Sequence, residues 1–274
     1  MKIFLVQMEP KLRDKEANLQ KILSFMDKAA KAGANLVVFP ELSLTGYRCG
    51  KDFLRLAETV PGPSYQRILE KAVEKNLYVI YGMSELRGSL VYNSAVFVGP
   101  RGLIGVWRKL HLPTFVYKGV AYEENMYFKP GPGITTFNTE FGKIGVEVCY
   151  DIWYPEVTRA HTLNGAWLVV NISAAVVGVP RLFQIMAKAR AIENVTWFAY
   201  VNQVGVQEGI KFGGGTCIVN HKAEIVKSAS IDEEAKEEIV DLTEVLLRRC
   251  QINEEVIREM ELVNIKSEIR DIEK

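Results

Sequence analysis

Apolar residues recur along this chain at two spacings, and their alternation predicts the order of elements. Ile3 to Met8 is an apolar run of strand length, and Asp14 to Ala32 carries Leu19, Ile22, Leu23 and Met26 at helical spacing before Gly33 ends it. A second buried strand, Asn35 to Phe39, precedes a helix over 64–75 that buries Ile68, Leu69, Ala72 and Val73. Strands at Leu77 to Met83, Leu90 to Val98 and Leu103 to Trp107 form a meander. After an irregular stretch from Leu110 to Pro132, strands are predicted near Ile134 to Phe137 and over Ile144 to Val148. A Pro155-led helix stopped by Gly165, the strand Trp167 to Ile172 and a helix over 180–195 follow. Trp197 to Gln203, Thr216 to Val219, Glu224 to Lys227 and Glu238 to Asp241 complete the strand candidates.

Many short strands with two pairs of helices imply an α/β chain in which two sheets form the core and helices cover them, in one domain over 1–241. From Leu242 to Lys274 the chain is charged and helical in pattern, with Val245, Leu246, Val256 and Ile257 as apolar markers. That tail reads either as a solvated helix or as a segment reaching over a second subunit.

Composition narrows the function classes. Across 274 residues, Lys plus Arg (34) nearly balances Asp plus Glu (33), so no charge excess points to nucleic acid or an anionic membrane. Cysteines at 49, 149, 217 and 250 form no CxxC pair, which argues against a zinc cluster or a disulfide framework and suits a reducing compartment. The N-terminus shows no signal-peptide pattern, and the longest apolar stretch, Trp167 to Val179, is interrupted by Asn171 and Ser173 and is too short to cross a bilayer. A cytoplasmic protein acting on a small molecule is the expectation.

Three strand ends carry chemistry. Cys149 ends an apolar run at a strand-to-helix turn, where unpaired helix N–H groups would favour thiolate, the form that attacks carbonyls. NLVVF gives way to Pro40-Glu41, and GLIGVW to Arg108-Lys109. Each residue alone has an ordinary reading: Cys149 as a small core hydrophobe, Glu41 as a loop cap or surface ion-pair partner, Lys109 as a solvated flanking charge. Together a carboxylate can take a thiol's proton, and an ammonium can stabilise the thiolate and then an oxyanion. Strand carboxyl ends are where ligand sites gather in open α/β sheets.

The segments FPELSLTGY (39–47), RKLHLPT (108–114) and EVCYDIWYPE (147–156) resemble, in this order, the three catalytic motifs of the nitrilase superfamily of carbon–nitrogen hydrolases. YNSAVFVGPRG (92–102), YFKPG (127–131), RAIENVTWFAYVNQVG (190–205) and GGGTCIV (213–219) support the resemblance, which runs to about residue 230. It implies a four-layer αββα sandwich that pairs with a second subunit through helices. It also implies Glu41 as general base, Lys109 as oxyanion-stabilising cation, Cys149 as nucleophile and Glu124 as a second glutamate, with Glu123 beside it in competition. The backbone N–H of Tyr150 would share the oxyanion with Lys109.

Family analogy offers Tyr47, Phe115, Tyr117, Trp153, Tyr154, Ser173 and Ala174, with Ala175, as the pocket lining; aromatics at such spacings also read as plain core. No Arg or Asp stands out as a reader of a distant charge on the substrate. No metal or other cofactor is called for, since His111, His161 and His221 lack ligand spacing and Gly213 to Gly215 lack the Lys-Ser or Lys-Thr of a phosphate loop. Family members that cleave nitriles tend to carry Trp-Glu after the nucleophile, whereas CYDIWYPE resembles the amidase and carbamoylase branches. Three readings follow: an amidase acting on small linear amides, an N-carbamoyl amidohydrolase, and a catalytically idle binder of a metabolite or protein. Asn220 and Ala223 depart from the family's proline and glycine in a late hairpin.

Overall fold

Strands β1 (Lys2–Gln7), β2 (Leu36–Val38) and β3 (Tyr78–Arg87) run parallel, and β4 (Leu90–Gly99) and β5 (Gly102–Arg108) continue the same sheet antiparallel. The crossovers carry α1 (Lys15–Lys31), the short α2 (Asp52–Leu56) and α3 (Pro63–Lys75). A parallel pair needs such a return path, and here helices supply it. This computed structural model describes residues 1–117, 119–230, 234–240 and 244.

A hairpin, β6 (Thr114–Tyr117) with β7 (Val120–Glu123), interrupts the chain before the second half. That half is built from β8 (Phe137–Thr139), β9 (Gly142–Val148), α4 (Pro155–Leu163), β10 (Ala166–Ser173), α5 (Pro180–Glu193) and β11 (Trp197–Asn202). A second hairpin, β12 (Val204–Gln207) with β13 (Ile210–Gly213), leads to β14 (Cys217–Val219) and β15 (Ile225–Ser228). Glu234–Ile239 forms β16, which returns to pair antiparallel with β1. The result is two six-stranded sheets, β16-β1-β2-β3-β4-β5 and β15-β14-β11-β10-β9-β8.

Alternation along each strand divides the core into layers. On one side Leu19, Ile22 and Met26 of α1 and Ile68 and Ala72 of α3 pack with Val37, Val79 and Val96 of the first sheet. On the other, Phe183, Ala187 and Ala191 of α5 pack with Val169, Phe198 and Tyr200 of the second. The opposite faces of the sheets meet each other, as where the rings of Phe97 and Phe137 cross edge to face at 5.9 Å. Helix, sheet, sheet and helix thus stack as an αββα sandwich, and Met1–Val240 forms one compact unit.

Several elements differ from the sequence reading. The stretch from Leu110 to Pro132 holds the β6-β7 hairpin, and 204–213 holds β12-β13. Each hairpin forms a two-stranded sheet apart from the two large ones, so its periodicity is weak. The strand expected near Ile134 begins at Phe137, and the one expected at Glu238 to Asp241 lies at Glu234–Ile239, where EAKEEI is too charged to stand out. The helical tail expected over 242–274 lies outside the described residues, Glu244 apart.

Candidate active site

The carboxyl ends of β2, β5, β9 and β10 open on one edge of the sandwich. Glu41 follows β2 and is completely buried. The turn that carries it lies against Gly82 of β3, where a Cβ would stand 2.3 Å from the Leu42 nitrogen and 2.8 Å from the Glu41 carbonyl carbon. Only glycine permits that approach. Ser43 Oγ donates to the Gly82 carbonyl at 3.1 Å, and Leu42 takes a left-handed φ of 49°, so the turn is held in a conformation it would not adopt freely.

Lys109 follows β5 and is also completely buried. Its N–H donates to the Asn93 carbonyl at 2.9 Å, and its own carbonyl accepts from Gly131 N–H at 2.9 Å, within the YFKPG segment. Its Nζ donates to Glu41 Oε1 at 2.8 Å and to Glu124 Oε1 at 2.7 Å. Tyr47 Oη donates to the same Glu124 oxygen at 2.6 Å, and Asn93 Nδ2 donates to Glu41 Oε1 at 2.6 Å. Glu124 opens a single 3-10 turn, Glu124–Met126, after β7, and it is the glutamate that bonds Lys109; both Glu123 and Glu124 line a neighbouring cavity.

Burial by itself would lower the pKa of Lys109, but Glu124 and Glu41 outweigh it and hold the ammonium well above its ordinary range. Burial pushes the Glu124 carboxyl up; Lys109 opposes this and Glu41 adds to it. Tyr47 is raised well above its usual value, chiefly by burial and then by Glu124, and so remains a neutral donor.

Cys149 begins a 3-10 turn, Cys149–Trp153, with φ at +48°, a conformation that L residues rarely take. Asp151 fixes that turn. Its Oδ2 accepts from Val148 N–H at 3.1 Å and from Trp107 Nε1 at 3.0 Å, while Oδ1 accepts from the backbone N–H groups of Leu110 at 3.1 Å and His111 at 2.9 Å. One carboxylate therefore ties the Lys109 loop to the Cys149 turn. Asn171 Nδ2 donates to the Cys149 carbonyl at 3.2 Å, and Arg190 of α5 donates to the Ile152 carbonyl at 2.9 and 3.2 Å.

The lowered thiol pKa expected from a helix N-terminus is not what the structure shows. Burial, followed by the charge of Glu41, raises the thiol far above its ordinary value; Lys109 and the Ala174 N–H oppose this without reversing it. Desolvation exceeds the small dipole of a single 3-10 turn, so the resting sulfur is a thiol.

Cys149 lies at the wall of a cavity of about 140 Å³. Of the expected lining residues, Tyr47, Phe115, Tyr117, Trp153, Ala174 and Ala175 line it, together with Tyr150. Phe115 is 41% exposed and Trp153 44%, which puts both at the mouth. Ser173 does not line the cavity: it is completely buried, and its hydroxyl donates to Asn171 Oδ1 at 2.7 Å. Nor does Tyr154, whose ring stacks on His111 at 3.4 Å between centroids. A neighbouring cavity of about 190 Å³, with Arg13, Arg48 and Glu123 among its residues, shares Tyr47 and Tyr122 with the first.

Asn93, Asp151, Arg190 and Tyr122 escaped the sequence reading as site residues. A buried amide within an apolar strand and an acid two positions after a candidate nucleophile are the signals that could have found the first two. Among the described residues no group of three or more His, Cys, Asp or Glu side chains is arranged to hold a metal ion, and no helix is long and apolar enough to cross a membrane.

The layered architecture and its strand-end site define a protein with the nitrilase fold. Saccharomyces cerevisiae Nit3, described as a member of branch 10 of the nitrilase superfamily, superposes with a TM-score of 0.83 at 27% identity, covering 92% of this chain and 94% of that one. The sequence profile of the carbon-nitrogen hydrolases matches residues 2–251, and the chain belongs to that family. A nitrilase of Pyrococcus abyssi is 34% identical over 259 residues, spanning 93% of this chain and 94% of the relative. An (R)-stereoselective amidase of a Pseudomonas species is 32% identical over 235 residues, spanning 85% and 82%.

Proposed function

We propose that this carbon–nitrogen hydrolase is an amidase that cleaves a small linear amide through a thioester on Cys149. The observation that carries the reading is the buried Lys109 ammonium bonded to both Glu41 and Glu124 beside a thiol that opens on a cavity. Burying three ionisable groups is costly unless they are paired, and a merely structural site has no need of them.

The hydrogen bonds support the following roles. Glu41 Oε1 is occupied by Lys109 and Asn93, whereas Oε2 is buried without a hydrogen-bond partner in the protein. That free oxygen takes the thiol proton as sulfur attacks the amide carbon and the carbonyl electrons move to oxygen. An ammonium has three N–H bonds, and Lys109 uses two on the carboxylates. The third, with the Tyr150 backbone N–H, receives the oxyanion. Collapse breaks the C–N bond, and the proton held by Glu41 leaves with the amine. Glu41 then deprotonates water, which attacks the thioester, and Cys149 regains its proton as the acid departs. Glu124 holds the ammonium in place from the opposite side.

A screen of ammonia release over amides, N-carbamoyl compounds and nitriles tests this. Turnover of simple amides without carbon dioxide, at least about 1000-fold reduced in Cys149→Ala, is the expected result. Carbon dioxide as a second product would move the assignment to a carbamoylase. Activity that persists in Cys149→Ala would remove this site from the reaction, and rapid thiol trapping without turnover of any substrate would favour an idle binder.

A further inference from the structure

The Cys149 cavity is walled chiefly by apolar and aromatic side chains. Pro113, Ala175, Val179, Leu182 and Phe183 contribute aliphatic and aromatic surface, joined by the rings of Phe115, Tyr117, Tyr122, Tyr150 and Trp153. Among the described residues lining it there is no Arg, Lys, His, Asp or Glu. The cation beside the sulfur, Lys109, is already bonded to two carboxyl groups, while Arg13 and Arg48 line the neighbouring cavity, where Arg13 pairs with Asp52 and Glu208 and Arg48 donates to the Ala121 carbonyl. Ionised together, these three groups carry a net negative charge; with one carboxyl protonated they are neutral. In neither state is positive charge left over for a second anion.

We infer that the substrate is an amide with a short, uncharged, apolar acyl chain, and that amides bearing a distant carboxylate are rejected. This deepens the amidase reading and rests on it. A carboxylate placed among these walls would lose its hydration and find no partner, which is the costly way to bury a charge. Size points the same way, since about 140 Å³ lies well below the roughly 300–1000 Å³ of sites that hold drug-sized ligands. Trp153 and Phe115 at the mouth extend the apolar surface outward, and the Phe115 ring meets that of Tyr150 at 5.4 Å.

The test compares acetamide, propionamide, butyramide and succinamate, the last matching butyramide in chain carbons but ending in a carboxylate. Values of kcat/KM are expected to rise about fourfold per added methylene. Butyramide is expected to exceed succinamate by at least about 100-fold. Leu182→Arg, which places a cation in a wall that is already 37% exposed, is expected to narrow that gap by at least about tenfold. Equal or better turnover of succinamate by the unmodified protein overturns the inference while leaving the amidase reading intact. If no amide is turned over in a Cys149-dependent way, the amidase reading fails separately. Calorimetric binding of butyramide and succinamate to the same protein then decides the inference, which tighter binding of succinamate overturns.

Discussion

Glu147 stands two positions before Cys149 on the face of β9 turned away from the other sheet, and burial pushes its carboxyl up to about 8. Thr158 Oγ1 donates to one of its oxygens, and Thr158 and Asn171 both oppose the rise without reversing it. A carboxyl whose folded pKa is raised contributes its full stability below its ordinary pKa of 4.5 and loses it as pH rises through about 8. Glu147→Gln, neutral at every pH, is therefore expected to gain on the original protein between pH 5 and 8, by on the order of a few kcal/mol at the upper end. Thermal melts of both proteins at stepped pH measure this, and parallel curves would refute it. At this scale the sequence displays an ionisable residue at a strand end, as with Glu41, Lys109 and Cys149. It does not display which buried amide or acid holds it. Asn93 is a polar residue in an apolar strand, and nothing in its neighbours names Glu41 as its partner.

Hairpins and turns are where element-level reading both succeeds and stops. The departures at Asn220 and Ala223 fall in the link between β14 and β15. There Asn220 Oδ1 accepts from the N–H groups of Lys222 and Glu224, each at 3.0 Å, and so organises the turn. Ala223 has φ at +63°, which an alanine reaches only against its Cβ. Ala223→Gly is expected to stabilise the protein by about 1 kcal/mol, read as a higher denaturant midpoint at unchanged slope. The β6-β7 hairpin poses the opposite case. Its sequence carries no alternating pattern strong enough to reveal it, yet it supplies Phe115, Tyr117 and Tyr122 to the cavity. Phe115→Ala is expected to raise KM for butyramide by about tenfold while changing kcat less than threefold, because the ring lies at the mouth and not beside the sulfur. An equal fall in kcat would show that the hairpin acts on the chemistry itself.

The αββα stacking follows from the order of apolar runs, since buried parallel strands joined by helices leave few ways to cover both sheets. What joins those sheets at the site was not legible, because Asp151 reaches Trp107, Leu110 and His111, 40 or more positions away. Trp107, Leu110 and His111 come from the end of β5, and Val148 from β9, so this carboxylate bonds both sheets at once. Asp151→Asn presents an amide N–H to groups that are themselves donors, and is expected to cost at least about 3 kcal/mol. The same change is expected to lower kcat by more than about 100-fold, because the Lys109 loop and the Cys149 turn lose their common anchor. Urea unfolding and steady-state rates measure the two effects, and full stability with lost activity would mean that the clamp is local.

The left-handed bend at Cys149 and the acids and ammonium beside it belong to different halves of the sandwich. A copy still being synthesised holds Glu41, Lys109 and Glu124 before the strands that flank β9 on its inner side exist. Whatever potency the sulfur gains from those neighbours is thus withheld until the second half has docked. An unfinished or unravelled copy carries an everyday thiol with no acid beside it to take its proton, so the assembled set of groups arrives together with the shape that encloses it.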